Sequence, residues 1–465
     1  MSLIHTPQAA APPPSRLVIP FLNTEPLTDV KLALLLLPLW WLLGVEQFIW
    51  PVVFGFAAVK MLYLQHWRLI ATPPLRWFAL FIVAVLISGV FVDETMRLLT
   101  YARNLGAFLS GFLALLIISN RAQSWRQIEK VLNVVLFIMF LAGVAGLLGI
   151  LNIWRPAIQS VIGQLLPAAV VNTSYGETIA IRQWGDLSWF SGLGLYFRVS
   201  SFFLFSNHYS SALIYALPFF FMKLGQARGV RKIAVALAIV ILAINLVYTT
   251  GRVATLSLLA GALYYAVFHS TYHRSLRVLI SLSLSVALIA ILFSATLELA
   301  SGFRQQGVIS RTAEAVDAFT YARGEGSFIN RFGVYGATIE GFLQRPLFGW
   351  GTERDVVGLN IPAGSHSEYL AALYRQGILG FFALLGLWWS VWRGTRPPGG
   401  AAAGQPAGLF LRYGRWFLVA ALINSIMTDP SVDSTTYVIL WVLITLLIAA
   451  GRMVRKQGEY ASTAH

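Results

Sequence analysis

The sequence predicts an all-α polytopic membrane protein, and three observations carry that reading. The chain has 465 residues, of which 57% are hydrophobic and only 11% charged, with a mean hydropathy of +0.70. A soluble chain of this length needs a larger polar surface than such a composition supplies. Its apolar residues also fall into many separate runs that approach the ~20 residues a helix needs to cross a bilayer. Finally, these runs are continuous, whereas a membrane β-barrel shows ~10-residue alternating segments. The net charge of +15 sits in short loops on alternate sides of successive runs, which is the positive-inside pattern of a membrane protein and not the footprint of nucleic-acid binding. There is no cysteine, so disulfides and thiol chemistry are out.

Residues 1–28 are a Pro/Ala-rich stretch with Arg16 as their one basic residue. They lack the basic start and cleavage site of a signal peptide and are expected to form a disordered cytoplasmic tail. Apolar runs follow near 30–45, 47–65, 77–92, 104–119, 131–152, 209–224, 233–250, 252–269 and 278–298, then 367–391, 412–428 and 435–451. About twelve transmembrane helices result, the first nine within 29–299 and the last three within 366–451, followed by a tail at 452–465. The even number puts both termini on one side. Arg68/Arg76, Arg121/Arg126/Lys130, Lys223/Arg228/Arg231/Lys232, Arg274/Arg277, Arg393/Arg396/Arg412/Arg415 and Arg452/Arg455/Lys456 lie on that side, which makes it cytoplasmic. The opposite face receives the tight turn at Thr250-Gly251 and two long segments, 153–207 and 300–365, the second between helices 9 and 10.

The six lysines fall on or near the cytoplasmic side, while the cations of the outer face are all arginine: Arg97, Arg103, Arg155, Arg182, Arg198, Arg252, Arg304, Arg311, Arg323, Arg331, Arg345 and Arg354. A planar, bidentate donor suits phosphate better than an ammonium does. About half of these arginines are expected to serve instead in ion pairs with Asp186, Glu314, Asp317, Glu340, Glu353 and Asp355. Within the outer segments, Thr178 to Trp184 alternates like a short strand and Ser191 to Gly194 reads as a turn. Arg311 to Tyr321 is expected to be an amphipathic helix. Ser327 to Leu343 forms a second helix, with Arg331, Tyr335, Thr338 and Phe342 on one face.

Three inward-running helices begin on the outer face with polar residues: Ser206-Asn207-His208, Thr249-Thr250-Gly251-Arg252 and Ser365-His366. Free backbone N–H groups and the positive dipole end make such helix starts anion sites. Arg252 enters an inserted helix, where a charge costs up to ~3 kcal/mol at midplane and persists for a reason. Arg375 lies deeper and requires a carboxylate or carbonyl partner. Ser365 and Glu368 have the S-x-x-E spacing of a capping box, which places His366 in the first helical turn. There the dipole disfavours a second proton, so the imidazole is available as a general base. Asp429 and Asp433 are separated by Pro430, and neither His208 nor His366 has an H-x-x-x-H partner, so no metal site is indicated. No P-loop is present, so the energy must come from an activated substrate; no cofactor is expected. A neutral histidine beside several arginines suits transfer from a lipid-linked phosphate or pyrophosphate. A transporter is the alternative of another class, but its polar site would lie near midplane on broken helices of paired repeats.

The region from about Arg198 to Gly380 resembles the O-antigen ligase/polymerase family of bacterial inner-membrane proteins. The matching stretches are Arg198 to Asn207, Thr249 to Arg252, Asn330-Arg331 with its helix, Pro346 to Gly351, and His366 to Gly380, the last being the most specific. The resemblance implies a GT-C-type glycosyltransferase fold with a large periplasmic loop. In the ligase branch, an undecaprenyl-pyrophosphate-linked glycan donor is joined to lipid A–core without metal or ATP and with inversion at the anomeric carbon. It further implies that Arg252 and Arg331 hold the pyrophosphate, with Arg198 as a further contact, and that His366 is the catalytic base. Ser365, Glu368, Asn207 and Tyr335 would support these residues. Ser367 departs from the pattern, standing where many relatives have asparagine. A polymerase or a protein O-oligosaccharyltransferase of the same family differs only in its acceptor.

Overall fold

The computed structural model describes residues 25–65, 69–190, 194–269, 326–356, 362–397 and 404–463. The first half contains α1 (Thr28–Leu35), α2 (Leu37–Leu43), α3 (Ile49–Leu64), α4 (Pro73–Ser88), α5 (Thr95–Arg121) and α6 (Trp125–Ile150). A mixed segment follows, with β1 (Ile158–Gln159), α7 (Val161–Leu165), α8 (Ala168–Val171), α9 (Ser174–Ala180), β2 (Ile181–Arg182), β3 (Gly185–Phe190) and β4 (Gly194–Val199). The second half contains α10 (Ser206–Gln226), α11 (Gly229–Tyr248), α12 (Arg252–Phe268), α13 (Gly326–Gln344), α14 (Glu368–Gly394), α15 (Pro406–Met427) and α16 (Ser434–Thr463).

Among the described residues, seven helices are long and apolar enough to cross a membrane: α4, α5, α6, α11, α14, α15 and α16. Helices α3 and α12 are apolar but shorter. The chain is therefore a multi-pass membrane protein. The first expected span is split at Leu36 between α1 and α2, where Pro38 removes a backbone donor. Helix α10 has the length of a span but begins Ser206-Asn207-His208 and carries Lys223 near its end. The run 278–298 and the helix expected over Arg311 to Tyr321 lie outside the described residues.

The segment between α6 and α10 corrects the all-α expectation locally. Strands β1 and β2 pair antiparallel, as do β3 and β4, with Gly185 opposite Val199 and Phe190 opposite Gly194. The stretch Thr178 to Trp184 is not one strand: Thr178 to Ala180 close α9, and only Ile181–Arg182 is extended. The reason is local, since the Thr173 side chain caps α9 by accepting from the Gly176 amide at 3.0 Å and draws the following residues into helix. Of the expected turn at Ser191 to Gly194, residues 191–193 lie outside the described residues.

Helix α16 is the centre of the bundle. The apolar window of α16 is 89% buried, against 28% for α11. Gly111 of α5 lies against the rings of Trp441 and Tyr437, where a Cβ would come within 2.7 and 2.8 Å. A small residue there allows the two backbones to close up, the usual basis of helix packing where apolar burial gives no driving force. Phe78 of α4 packs on Trp441 with ring centroids 4.5 Å apart.

The two ends of the bundle differ chemically. At one end Lys31 and Lys130 pair with Glu25, Lys60 with Asp29 and Lys223 with Glu129. Arg452 and Arg455 donate there to the carbonyls of Ser119 and Gly394. The other end carries Arg103, Arg198 and Arg354 and the mixed α/β segment, tied to the bundle by Arg182, which meets both carboxylate oxygens of buried Glu46 at 2.7 Å.

Helix α14 is broken at Gly377, whose backbone (φ 68°, ψ −166°) is non-helical. A break inside a membrane helix strands polar groups that must find partners within the protein. Here the turn after α13 supplies them. The amides of Trp350 and Gly351 donate to the carbonyls of Tyr374 and Arg375 at 3.0 and 2.8 Å, and the Ile378 amide donates to Pro346 at 2.8 Å. A Cβ on Gly377 would lie 2.3 Å from the Leu347 carbonyl oxygen, and its φ/ψ is open essentially to glycine alone. Gly377→Ala is expected to cost about 2 kcal/mol or more, read as a lower apparent melting temperature of the purified protein in detergent; an unchanged value would show that the turn adapts.

Candidate active site

A cavity of about 690 Å³ opens at the arginine-bearing end, lined by residues of α5, α9, β4, α10, the loop before α14 and the loop between α15 and α16. Its floor is organised by Arg375, a residue about two turns beyond the start of α14 and 1% exposed. Arg375 pairs with Asp429 at 2.9 Å and with Glu353 at 3.3 Å. Glu353 also meets Arg103 of α5 at 3.2 Å and accepts from Asn104 at 3.3 Å and Thr352 at 3.0 Å. Burial pushes the Glu353 carboxyl up, but Arg375 and Arg103 outweigh it and hold it down at about 2. Glu353, Arg103 and Asp429 all line the cavity.

The start of α14 differs from the expected capping box. The cap is Ser367, whose hydroxyl accepts from the Leu370 amide at 3.3 Å. Ser365 lies two residues too early; its hydroxyl donates to the Pro362 carbonyl at 2.6 Å. Glu368 is the first helical residue and is buried, so it cannot reach back as the N3 residue of a capping box does. His366 therefore stands just ahead of the helix and not in its first turn, in a left-handed conformation with φ 62°. Such a backbone costs a non-glycine residue about 1–2 kcal/mol and is held here from outside. The Tyr335 hydroxyl donates to the His366 carbonyl at 3.3 Å, and the Gly364 amide donates to Thr338 at 2.8 Å. Both partners lie on α13, whose expected face is thus confirmed at two positions.

The structure brings His366, Ser365, Arg198 and Asn207 to one cavity. Asn207 is the second residue of α10. Arg198, on β4, donates to the Thr250 hydroxyl at 3.0 Å and to the Thr249 carbonyl at 3.5 Å. Those residues form the turn before Arg252, the first residue of α12. Arg252 is not among the lining residues, but Arg198 ties its turn to the wall. Thr250 has φ 54°, Ser201 has φ 51°, and with His366 they put three strained non-glycine residues around one site. Arg331 is placed on α13 one turn before Tyr335; its side-chain contacts lie outside the described residues. The expected ion pairing of outer arginines holds for Arg103 with Glu353, and others find different partners: Arg182 takes Glu46, while Arg97 and Arg354 share Asp93.

Sequence reasoning missed His208, Glu353, Arg103 and Asp429 as members of the site. The signal for the acids was Arg375 itself, since an arginine buried in a span demands carboxylates and Asp429 stands at the outer end of a neighbouring helix.

Fold and site together define a multi-pass membrane protein in which the start of α10, the loop before α14, Arg103 and Arg198 line a cavity at one end of the bundle. Residues 237–385 match the family model described as O-antigen ligase. The match contains Arg252, Arg331, Tyr335, Ser365, His366 and Glu368; Arg198 and Asn207 precede it. No curated protein matches the chain.

Two outcomes follow from the site's construction. Ser367→Ala removes the cap of α14 and is expected to cost about 1 kcal/mol, measured as a lowered melting temperature. For Glu353, the folded carboxyl lies below its ordinary value of 4.5. Its contribution is therefore complete above pH 4.5 and is lost as pH falls toward 2. Glu353→Gln is expected to remove about 3 kcal/mol at pH 7 and to flatten the acid limb of a melting-temperature profile; an unaltered limb would place the acid sensitivity elsewhere.

Proposed function

We propose that the protein is an O-antigen ligase, a glycosyltransferase of lipopolysaccharide biosynthesis. In this reading it transfers O-antigen from undecaprenyl pyrophosphate to lipid A–core at the periplasmic face of the bacterial inner membrane. The observation that carries the reading is the cavity that joins Arg198 and His366, within a chain whose segment 237–385 matches the O-antigen ligase family. The fold is then of GT-C type with about twelve transmembrane helices, both termini cytoplasmic, and residues 300–365 as the large periplasmic loop. The difference in chemistry between the bundle's lysine-bearing and arginine-bearing ends supports that orientation.

Arg252, Arg331 and Arg198 hold the pyrophosphate of the donor, aided by the N-terminal end of α12. His366 takes the proton from the acceptor hydroxyl as its oxygen attacks the anomeric carbon. The bond from that carbon to the pyrophosphate oxygen breaks, and the lipid pyrophosphate leaves with its developing charge on the arginines. Attack opposite the leaving group inverts the anomeric centre. Ser367, Tyr335 and Thr338 set the position of the His366 backbone. No metal enters this scheme, so a chelator is expected to leave transfer unchanged.

The test supplies purified protein with labelled lipid-linked glycan and lipid A–core, then with donor alone. Label on the core is the expected result; a lengthened donor in place of it would identify a polymerase, and no product from either mixture would overturn the enzymatic reading. His366→Ala is expected to insert normally and lose transfer by at least 100-fold. Arg252→Lys keeps the charge but loses the bidentate grip and is expected to lose most activity; full activity would reduce that contact to a point charge.

A further inference from the structure

The cavity contains a second histidine for which the chemistry above has no use. His208 is the third residue of α10, lines the cavity and is 3% exposed. Its Nε2 lies 3.2 Å from the backbone carbonyl oxygen of Asp429. A carbonyl only accepts, so Nε2 carries the proton and Nδ1 of the neutral ring is left as an acceptor. The residue that receives this bond is itself held, because the Asp429 carboxylate pairs with Arg375 and Arg375 with Glu353. The bond sets the tautomer of the ring and leaves the ring able to turn about it.

Nδ1 has no hydrogen-bond partner among the described residues and is closed to bulk water. A buried acceptor in that state is unfavourable and calls for an explanation. In a packed core the explanation would be a modest loss of stability. His208 is instead in the wall of a polar cavity, on the helix start that also brings Asn207 there.

We propose that Nδ1 of His208 accepts a hydrogen bond from a sugar hydroxyl of the glycan bound in this cavity, making His208 a second substrate-contacting histidine beside His366. The assignment rests on the ligase reading for the identity of the ligand. The hydroxyl belongs to the donor glycan or to the acceptor, and the chemistry of recognition is the same for both. Because Nδ1 is turned away from the open cavity, this contact requires the ring, which packs beside Phe205 in the same wall, to turn about its Asp429 bond when the ligand binds. Because the ring proton is committed to Asp429, His208 selects for a donor group, and a deoxy sugar at that position is rejected.

The experiment measures binding of labelled lipid-linked glycan and, separately, of lipid A–core to the purified full chain and to His208→Gln and His208→Asn. The glutamine amide nitrogen replaces Nε2 and keeps the bond to Asp429 while offering no acceptor at Nδ1. The asparagine amide oxygen takes the place of Nδ1 and gives up the Asp429 contact. His208→Gln is expected to weaken one of the two ligands about tenfold and spare the other, which identifies the source of the hydroxyl. His208→Asn is expected to weaken the same ligand less than His208→Gln does. Wild-type affinity of His208→Gln for both ligands overturns the role of His208, as does equal weakening of both with a fall in melting temperature. A wild-type protein that binds neither ligand overturns the proposed function instead.

Discussion

The site depends on one buried guanidinium. Arg375 lies inside a membrane-crossing helix at 1% exposure, where an unpaired charge would not be tolerated. It is held by Asp429 from the loop between α15 and α16 and by Glu353 from the segment before α14. Those two acids belong to parts of the chain that share no helix, so neutralising Arg375 fixes their relative position. Glu353 extends the network to Arg103 on α5, and Asp429 extends it to His208 on α10. One charge in a low-dielectric interior thereby ties four elements into the floor of the cavity.

Above that floor, the helix starts are arranged by strain and capping. The break at Gly377 frees carbonyls that the Trp350-Gly351 turn satisfies, which brings the end of α13 and the loop after it against α14. That docking in turn lets Tyr335 and Thr338 hold the left-handed turn around His366. A non-glycine residue keeps a positive φ when its surroundings supply more than the strain removes. At His366 the surroundings are the cap at Ser367 on one side and α13 on the other. Thr250 is in a comparable position, with Arg198 bonded to its hydroxyl.

Much of this was legible in the residues. Apolar runs located the membrane-crossing helices because burial in lipid leaves a continuous signal, and the helix start at Arg252 and the helix holding Arg331 and Tyr335 were read correctly from local pattern. The capping box at Ser365 was misread by two residues. Both serines satisfy local spacing rules, and the choice of Ser367 follows from the turn at Gly364 to His366, which is held by contacts with Thr338 and Tyr335 about thirty residues away. Glu368 likewise looked like a capping residue and proved to be buried. The short strand expected at Thr178 gave way because Thr173 caps a helix just before it.

Sequence alone determined the membrane class and the confinement of lysine to one side of the bundle. These are properties of composition and of local periodicity, which burial in a bilayer and the positive-inside bias write directly into the chain. Tertiary structure decided which of the expected site residues share a cavity, and it added Arg103, Glu353, Asp429 and His208. Buried charges choose partners by proximity in space, and the pairs Arg375–Glu353 and Arg375–Asp429 join positions whose separation along the chain carries no periodic signal.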